Sequence, residues 1–165
     1  MVKIYTDGAC SGNPGKGGYG IVMEYHTKDS TGQPKVFQKE FSQGYKKTTN
    51  NRMELLAVIV ALEKITKEGL QVDVFSDSKY VVDAIEKKWV YGWSKKGFAG
   101  KKNADLWRRF LRIYPKHKVQ FTWIKGHNDH PQNERCDRLA VQAAKSDSLL
   151  VDEGFENKGK DLFKS

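Results

Sequence analysis

The spacing of apolar residues changes near residue 50 of the chain. Before that point apolar and polar residues alternate, as in the run from Tyr19 to Tyr25, where every second side chain is apolar or aromatic. Alternation of this kind is typical of a strand with one buried face. Between Asn51 and Lys67, apolar residues instead recur at the spacing of one helix face. The change of period predicts strands in the first part of the chain and helices later.

The predicted elements follow a simple order. Strands are predicted at residues 2–6, 19–25, 36–41, 72–75 and 119–124, and helices at about 51–67, 78–88, 105–114 and 133–145. Three successive strands predict an antiparallel meander, and the later alternation of strand and helix adds two parallel strands. We therefore expect an α/β fold with a five-stranded mixed sheet and helices on both faces.

Length and composition indicate one domain. The 165 residues, 38% of them hydrophobic, can form one core and contain no repeats or linkers. We expect residues 1–145 to form this domain and residues 146–165 to be a polar, loosely held tail. No apolar run approaches the roughly 20 residues of a membrane span, and no secretory leader is recognisable, so we expect a cytoplasmic protein. Cys10 and Cys136 lack zinc-ligand spacing and are expected to be reduced packing residues.

The charge of the chain favours an anionic partner. Lys and Arg number 29 against 20 Asp and Glu, which gives a formal net charge of +9. Nucleic acid is the first expectation, an acidic membrane the second and an acidic protein the third. A basic amphipathic helix with a broad apolar face, which membrane binding would require, is not recognisable. Basic charge that serves only solubility remains an alternative.

Four acidic residues lie where strands or helices are predicted to begin or end: Asp7, Glu54, Asp77 and Asp137. In an open α/β sheet, ligands bind beside strand ends and the first turns of the helices that follow. Carboxylate oxygens grouped there suit Mg²⁺, which takes few protein ligands and keeps positions for water and substrate phosphate.

Each of these acids also has an ordinary structural interpretation. Asp7 precedes a glycine, as in many turns. Asn51 and Glu54 fit a helix capping box, and Asp77 could cap the next helix. Asp137 could be a solvated helix residue. The spacing alone does not establish that the four side chains converge.

A basic and aromatic segment separates the second and third predicted helices. Its lysines are Lys87, Lys88, Lys95, Lys96, Lys101 and Lys102, and its aromatic residues are Trp89, Tyr91, Trp93 and Phe98. Lysines neutralise phosphates, and exposed aromatic rings offer flat surfaces to sugars and bases. The alternative is a solvated segment whose aromatic side chains pack inward.

Five short segments carry the most distinctive residue patterns. They are Tyr5–Gly15 (YTDGACSGNPG), Thr48–Leu55 (TTNNRMEL), Ser76–Val81 (SDSKYV), Trp123–His127 (WIKGH) and His130–Asp137 (HPQNERCD). In this order and spacing they resemble the signature segments of bacterial-type ribonuclease H, type 1, over residues 2 to about 145. The resemblance implies a stand-alone catalytic domain with a ribonuclease H-like fold.

The resemblance also implies a reaction. Members of this family hydrolyse the RNA strand of RNA–DNA hybrids, with little sequence preference, and leave 5′-phosphate and 3′-hydroxyl ends. Asp7, Glu54, Asp77 and Asp137 match the family's metal-binding carboxylates, which would hold two Mg²⁺ ions about 4 Å apart, with Mn²⁺ as a substitute. His127 matches a loop histidine that assists proton transfer or product release. Its neighbour Asp129 is less usual in this loop and could raise the pKa of His127 or bind a metal ion.

Substrate-binding residues are implied in the same way. The residues that match the groove for the RNA strand are Cys10, Gly12, Asn13, Asn50 and Asn51. Those that match the phosphate pocket and channel for the DNA strand are Lys47, Thr49, Asn103, Trp89 and Trp93. The lysine-rich segment matches the family's basic protrusion, although the loop at 95–103 is somewhat shorter here.

Three other functions remain open from the sequence. A non-catalytic nucleic-acid-binding domain could keep the fold and the basic face, but acids stand at all four matched positions. Another two-metal enzyme of similar fold, such as a resolvase or transposase core, would not need Trp89, Trp93 or the Thr49–Asn103 pair. A fragment of a reverse transcriptase is disfavoured by strand-like sequence directly after Met1. We expect a monomer that needs no small-molecule cofactor.

Overall fold

A computed structural model describes residues 1–125 and 130–157 of the chain. The strands are β1 (Val2–Ser11), β2 (Gly15–Lys28), β3 (Pro34–Thr48), β4 (Gln71–Ser76), β5 (Lys118–Trp123) and β6 (Leu149–Leu150). The helices are α1 (Asn50–Glu63), α2 (Lys79–Glu86), α3 (Trp89–Lys95), α4 (Ala104–Ile113), α5 (Pro131–Ala144) and α6 (Glu153–Glu156), with a 3-10 turn at Tyr114–Lys116. None of these helices has the length and apolar character needed to cross a lipid bilayer.

The strands form one mixed sheet in the order β5-β4-β1-β2-β3-β6. The first three strands pair antiparallel, and β4 and β5 extend the sheet in parallel from β1. The predicted mixed sheet is therefore confirmed. Its strand count was wrong by one, because β6 adds a short parallel strand beside β3. Two residues are too few to give a recognisable alternation in the sequence.

Helices cover the two faces of the sheet. Side chains on opposite faces alternate along β1, so that Ile4 belongs to the core beneath α1 and Tyr5 packs with Cys136 of α5. Ten of the 14 residues of α1 are buried, because this helix lies between the sheet and α4. A helix covered on both sides brings even its polar residues into the interior, and Arg52 and Glu54 are among those buried.

The helix α5 approaches the sheet over glycines. A Cβ atom at Gly18 would lie 2.6 Å from the carbonyl oxygen of Ala140, and one at Gly20 would lie 2.8 Å from Leu139 Cβ and overlap the Cys136 carbonyl. Only a residue without a side chain leaves room for the helix backbone there. These glycines therefore set how closely α5, which carries Asp137, lies against the sheet.

Gly20→Ala is expected to destabilise the protein by about 1–3 kcal/mol, because the added methyl group overpacks a rigid contact. Gly92→Ala is the matched control, since a Cβ at this exposed helical position meets no atom within 4 Å. That change should be neutral or stabilising by up to about 1 kcal/mol. Urea denaturation of both variants measures the difference. Equal stability of the two would contradict the close approach of α5.

The C-terminal segment is held more firmly than the sequence suggested. Leu149 and Leu150 pair with Gly44 and Tyr45 of β3, and Asp152 is only 7% exposed. The expectation of a loosely held tail is therefore wrong for residues 149–157, and residues 158–165 lie outside the described part. Asp152 meets its partner Arg52 across 100 positions of sequence, a contact that no local pattern reveals.

Candidate active site

Three of the predicted carboxylates converge at one edge of the sheet. Asp7, Glu54 and Asp77 each offer an oxygen atom, and these oxygens lie within 4.8 Å of one another. The strands β1 and β4 are parallel neighbours in which Tyr5 pairs with Phe75. Asp7 and Asp77 each lie two residues further on, so the shared direction of the strands brings them to the same end. The first turns of α1 bring Glu54 to that point.

The structure also changes the local interpretation of these residues. The cap of α1 is Thr49, whose hydroxyl accepts a hydrogen bond of 3.3 Å from the Arg52 amide. The capping box of Asn51 and Glu54 is therefore wrong by two residues. In the same way, α2 is capped by Ser78 and not by Asp77. Neither Glu54 nor Asp77 is explained by helix capping.

The backbone of Gly8 joins two of the carboxylates. Its amide N–H donates to Asp7 Oδ1 at 2.9 Å and to Glu54 Oε1 at 3.1 Å. A Cβ atom at Gly8 would lie 2.7 Å from the Glu54 nitrogen, so a glycine is required where α1 approaches β1. The Asp-Gly pair thus lies within a strand, and the interpretation of Asp7 as part of a turn is wrong.

Two of the three carboxylates are almost completely buried. Asp7 is 3% exposed and Glu54 is 4% exposed. Burial raises the pKa of Glu54 well above its ordinary value, and the charges of Asp7 and Asp77 raise it further. Glu54 Oε2 is buried and has no hydrogen-bond partner among the described residues. A set of hard oxygen donors that repel one another and include an unpartnered oxygen fits a small divalent cation such as Mg²⁺.

Among the described residues, the group of close carboxylates contains Asp7, Glu54 and Asp77 but not Asp137. Asp137 is half-buried on α5 directly after Cys136, whose thiol donates to the Tyr5 carbonyl oxygen at 3.2 Å. By alternation along β1, Asp7 shares with Tyr5 the face that α5 covers. Asp137 therefore lies on the helix that packs beside Asp7. His127 and Asp129 lie outside the described residues.

Residues predicted for the RNA strand meet where the β1–β2 turn adjoins the start of α1. Asn13 Oδ1 accepts a hydrogen bond of 3.2 Å from the Asn50 amide. The thiol of Cys10 contacts the Thr48 carbonyl oxygen at 3.4 Å. Gly12 has a φ of +85°, a backbone conformation that favours glycine. Asn51, the last of the set, lines a cavity together with Asn13.

A cavity of about 430 Å³ opens beside these residues. Its lining combines predicted residues with some that the sequence analysis missed: Asn13, Thr49, Asn51, Arg52, Lys101, Lys102, Asn103, Ala104, Asp105, Gly154 and Phe155. Lys47 is exposed on β3 and does not belong to this lining. The missed residues include Arg52, which stands inside the segment TTNNRMEL, and the tail residues Gly154 and Phe155.

The aromatic segment forms two further grooves of about 390 and 460 Å³, both lined by Trp89, Trp93 and Lys101. Trp89 is 47% exposed, with the Lys87 ammonium 5.1 Å from its ring centroid. Trp93 packs edge-on against Trp107, and Phe98 is buried. The inward-packing alternative therefore holds for Phe98, whereas Trp89 presents its ring to solvent.

Comparison with known proteins identifies the family. The family model for RNase H matches residues 1–145. A ribonuclease H of Desulforamulus reducens is 52% identical over 156 residues, which cover 92% of each chain. A ribonuclease H of Lachnoclostridium phytofermentans is 53% identical over 161 residues, covering 94% of this chain and 99% of the relative.

Solved structures agree. LC9-RNase H1, a type 1 RNase H with the type 2 active-site motif, is 33% identical with a TM-score of 0.77, covering 96% of this chain and 80% of that one. LC11-RNase H1, solved in complex with an RNA/DNA hybrid, is 25% identical with a TM-score of 0.55, covering 88% of this chain and 97% of that one. The chain accordingly belongs to the ribonuclease H family, type 1, and is an endoribonuclease.

Proposed function

We propose that the chain hydrolyses the RNA strand of RNA–DNA hybrids with two Mg²⁺ ions and leaves 5′-phosphate and 3′-hydroxyl ends. The observation that carries this proposal is the group of Asp7, Glu54 and Asp77 carboxylates within 4.8 Å of one another. The ribonuclease H relatives and the neighbour bound to an RNA/DNA hybrid support the choice of substrate.

Four acidic residues would hold the metal: Asp7, Glu54, Asp77 and, from α5, Asp137. When bound, the ions would activate a water molecule and stabilise the leaving 3′-oxygen, with Mn²⁺ as a substitute for Mg²⁺. The chain itself holds the ligand oxygens in place beforehand. The Gly8 amide bonds to both Asp7 and Glu54. The Trp123 indole N–H donates to the main-chain carbonyl oxygen of Asp77 at 3.2 Å, which holds the backbone that carries the third carboxylate.

Selectivity for a hybrid follows from the two sides of this site. The junction of Cys10, Asn13 and Asn50 would contact 2′-hydroxyl groups, which only an RNA strand offers. The cavity beside Thr49 and Asn103 would take a phosphate of the other strand, which a DNA strand bends to reach more readily. Because these contacts are to the backbone, cleavage should depend little on base sequence.

We propose that His127 assists proton transfer or product release. The ordinary pKa of histidine, near 6.5, suits a group that takes or gives a proton at neutral pH. Asp129, two residues away, is proposed either to raise that pKa or to bind a metal ion. An unchanged pH–rate profile in Asp129→Ala would remove the role of Asp129 without affecting the rest of the proposal.

Cleavage of matched duplexes tests the proposal directly. RNA–DNA hybrid, double-stranded RNA and double-stranded DNA of the same sequence would be incubated with the protein in millimolar Mg²⁺, Mn²⁺ or EDTA. We expect cuts in the RNA strand of the hybrid only, in either metal and not in EDTA. Tight binding of the hybrid without cleavage in either metal would instead indicate a nucleic-acid-binding domain.

Neutralising the lysines at 95, 96, 101 and 102 to Gln should weaken hybrid binding and flatten its salt dependence. Each phosphate contact releases counterions, so we expect the slope of log K against log salt to fall in magnitude by about 2 to 4. Fluorescence anisotropy across a salt series, in EDTA, measures the slope. The matched control neutralises Lys28, Lys35, Lys64 and Lys67, which line none of the three cavities described above. An equal slope in the two variants would show that only overall charge matters.

A further inference from the structure

The guanidinium of Arg52 lies buried beneath the cavity that Thr49 and Asn103 line. Its Nε and Nη2 donate to the two carboxylate oxygens of Asp152 at 2.8 and 2.9 Å. Its Nη1 and Nη2 donate to the two oxygens of Asp105 at 2.9 and 2.7 Å. Nη1 also donates to Asn103 Oδ1 at 3.3 Å. Because a guanidinium has five N–H donors, these bonds use all of them.

This arrangement makes Arg52 a poor phosphate ligand. It has no N–H left to offer, and two carboxylates outweigh its single positive charge. Burial lowers the pKa of Arg52, but its bonds to Asp105 and Asp152 raise it above the ordinary value, so the side chain stays charged. Its effect on a ligand in the cavity must therefore pass through the groups that it holds.

Arg52 fixes the orientation of the Asn103 amide. A guanidinium only donates, so the Asn103 oxygen must face it and the amide nitrogen must face away. That nitrogen donates one hydrogen to the Tyr80 hydroxyl at 3.0 Å. Tyr80 also accepts from the Trp107 indole at 2.9 Å, which holds the hydroxyl in place. In the part of the chain that the structure describes, the second hydrogen of Asn103 Nδ2 has no acceptor, and it can donate to an anion in the cavity.

The C-terminal segment holds Arg52 in this position. Besides bonding to Arg52, Asp152 accepts a hydrogen bond of 2.7 Å from the hydroxyl of Thr48, the residue before Thr49. Gly154 packs so closely that a Cβ there would overlap Asp105 Oδ2 and lie 2.8 Å from Arg52 Nη2. Gly154 and Phe155 also line the cavity. One carboxylate thus links the end of β3, the start of α1 and the wall of the pocket.

We propose that the C-terminal segment 148–157 helps to form the pocket for a DNA-strand phosphate. In this proposal Asp152 is the residue of the segment that positions the pocket's ligands. Asp152 holds Arg52, Arg52 orients Asn103, and Asn103 together with Thr49 receives the phosphate. The inference rests on the proposed function, because the phosphate belongs to the DNA strand of the hybrid. It assigns the tail a part in substrate recognition.

Asp152→Asn keeps the shape of the side chain and removes its charge. Because an oriented hydrogen bond to a charged phosphate is lost, we expect the KM for hybrid to rise about tenfold while kcat stays within about twofold. Asp147→Asn is the matched control, since Asp147 is exposed and lies directly before this segment. Its KM and kcat should equal those of wild type.

Replacing one phosphate of the DNA strand by an uncharged linkage shows which phosphate the pocket binds. Methylphosphonate would replace one phosphate at a time, and the affinity of each hybrid would be measured in EDTA. In wild type we expect one position at which the replacement costs about tenfold in affinity. In Asp152→Asn that penalty should fall below about twofold, with the other positions unchanged, because the variant no longer grips this phosphate.

Circular dichroism checks that each variant is folded, and a second variant provides an independent test. Gly154→Ala leaves every charge in place but displaces the Asp105–Arg52 pair, and it should reduce the same position-specific penalty. If either variant is folded, binds weakly and keeps the full penalty at that position, general loosening explains the loss and the inference is overturned. Wild type that cuts no hybrid would remove the proposed function, whereas wild type that cuts hybrid but tolerates every methylphosphonate overturns this inference alone.

Discussion

Asp77→Asn is expected to slow cleavage of the RNA strand about a thousandfold or more while the hybrid still binds. The substitution keeps the size of the side chain and removes one of three carboxylates that lie within 4.8 Å of one another. The backbone carbonyl that accepts from Trp123 is unchanged, so the local fold should persist. Single-turnover cleavage with excess protein measures the chemical step, and anisotropy in EDTA measures binding.

Asp73→Asn is the matched control for this variant. Asp73 lies four residues earlier, in strand β4, and is outside the carboxylate group. Asp73 is half-buried, so the change can alter stability, but the cleavage rate should stay within about threefold of wild type because Asp73 does not belong to the group that would hold the metal. If Asp77→Asn also cleaves at a rate within tenfold of wild type, the carboxylate group does not perform the reaction.

Glu54→Gln is expected to stabilise the metal-free protein. Burial and the neighbouring charges of Asp7 and Asp77 disfavour the ionised form of Glu54, and an amide of the same shape avoids that cost. We expect a gain on the order of 1 kcal/mol or more in the free energy of unfolding at neutral pH, which corresponds to about 2–4 °C in Tm per kcal/mol. Thermal unfolding in EDTA at low salt measures it.

The pH dependence of this gain has a definite sign. The folded-state pKa of Glu54 lies above the ordinary value of 4.5 that applies to the unfolded chain. Between these two pKa values the folded protein binds more protons than the unfolded chain, so wild-type stability falls as pH rises. The advantage of Glu54→Gln should therefore be small near pH 4 and grow with pH.

Mg²⁺ should reduce the stability advantage of Glu54→Gln over wild type. Wild type should gain in Tm with millimolar Mg²⁺ through preferential binding to the native state, and Glu54→Gln should gain less. Glu63→Gln serves as a control, because Glu63 is exposed on the same helix and pairs with Arg109. A Glu54→Gln variant that is less stable than wild type at neutral pH in EDTA would contradict the repulsion within the group.

The sequence was sufficient for the main outline of the fold because alternation and helical spacing are local properties. The meander and the two parallel strands were predicted on that basis and confirmed. The predictions that were wrong concern features that depend on contacts between distant residues or on the position of a single side chain. Strand β6 is only two residues long, and the cap of α1 depends on which of several neighbouring polar side chains turns toward the Arg52 amide.

In the candidate site, too, local sequence indicated some residues but not the contacts between distant ones. Position at strand and helix ends indicated Asp7, Glu54 and Asp77, but their convergence required the parallel pairing of β1 and β4. Arg52 was not predicted to have a role, although it stands in one of the five segments. A buried arginine in a covered helix needs carboxylate partners, and one of them lies 100 residues away in the tail. No property of either residue's local sequence identifies the other.

The amide of Gly8 gives one backbone proton to two acidic side chains. A proton shared in this way has a resonance frequency that responds to the charge on both acceptors. Acid titration of the metal-free protein should shift this NMR signal as the carboxyl groups take up protons, and a divalent ion should shift the same signal by drawing electron density from the same oxygens. Because Mg²⁺ has no colour and no unpaired electrons, this glycine gives a built-in reporter of site occupancy that requires neither substrate nor a substituted metal.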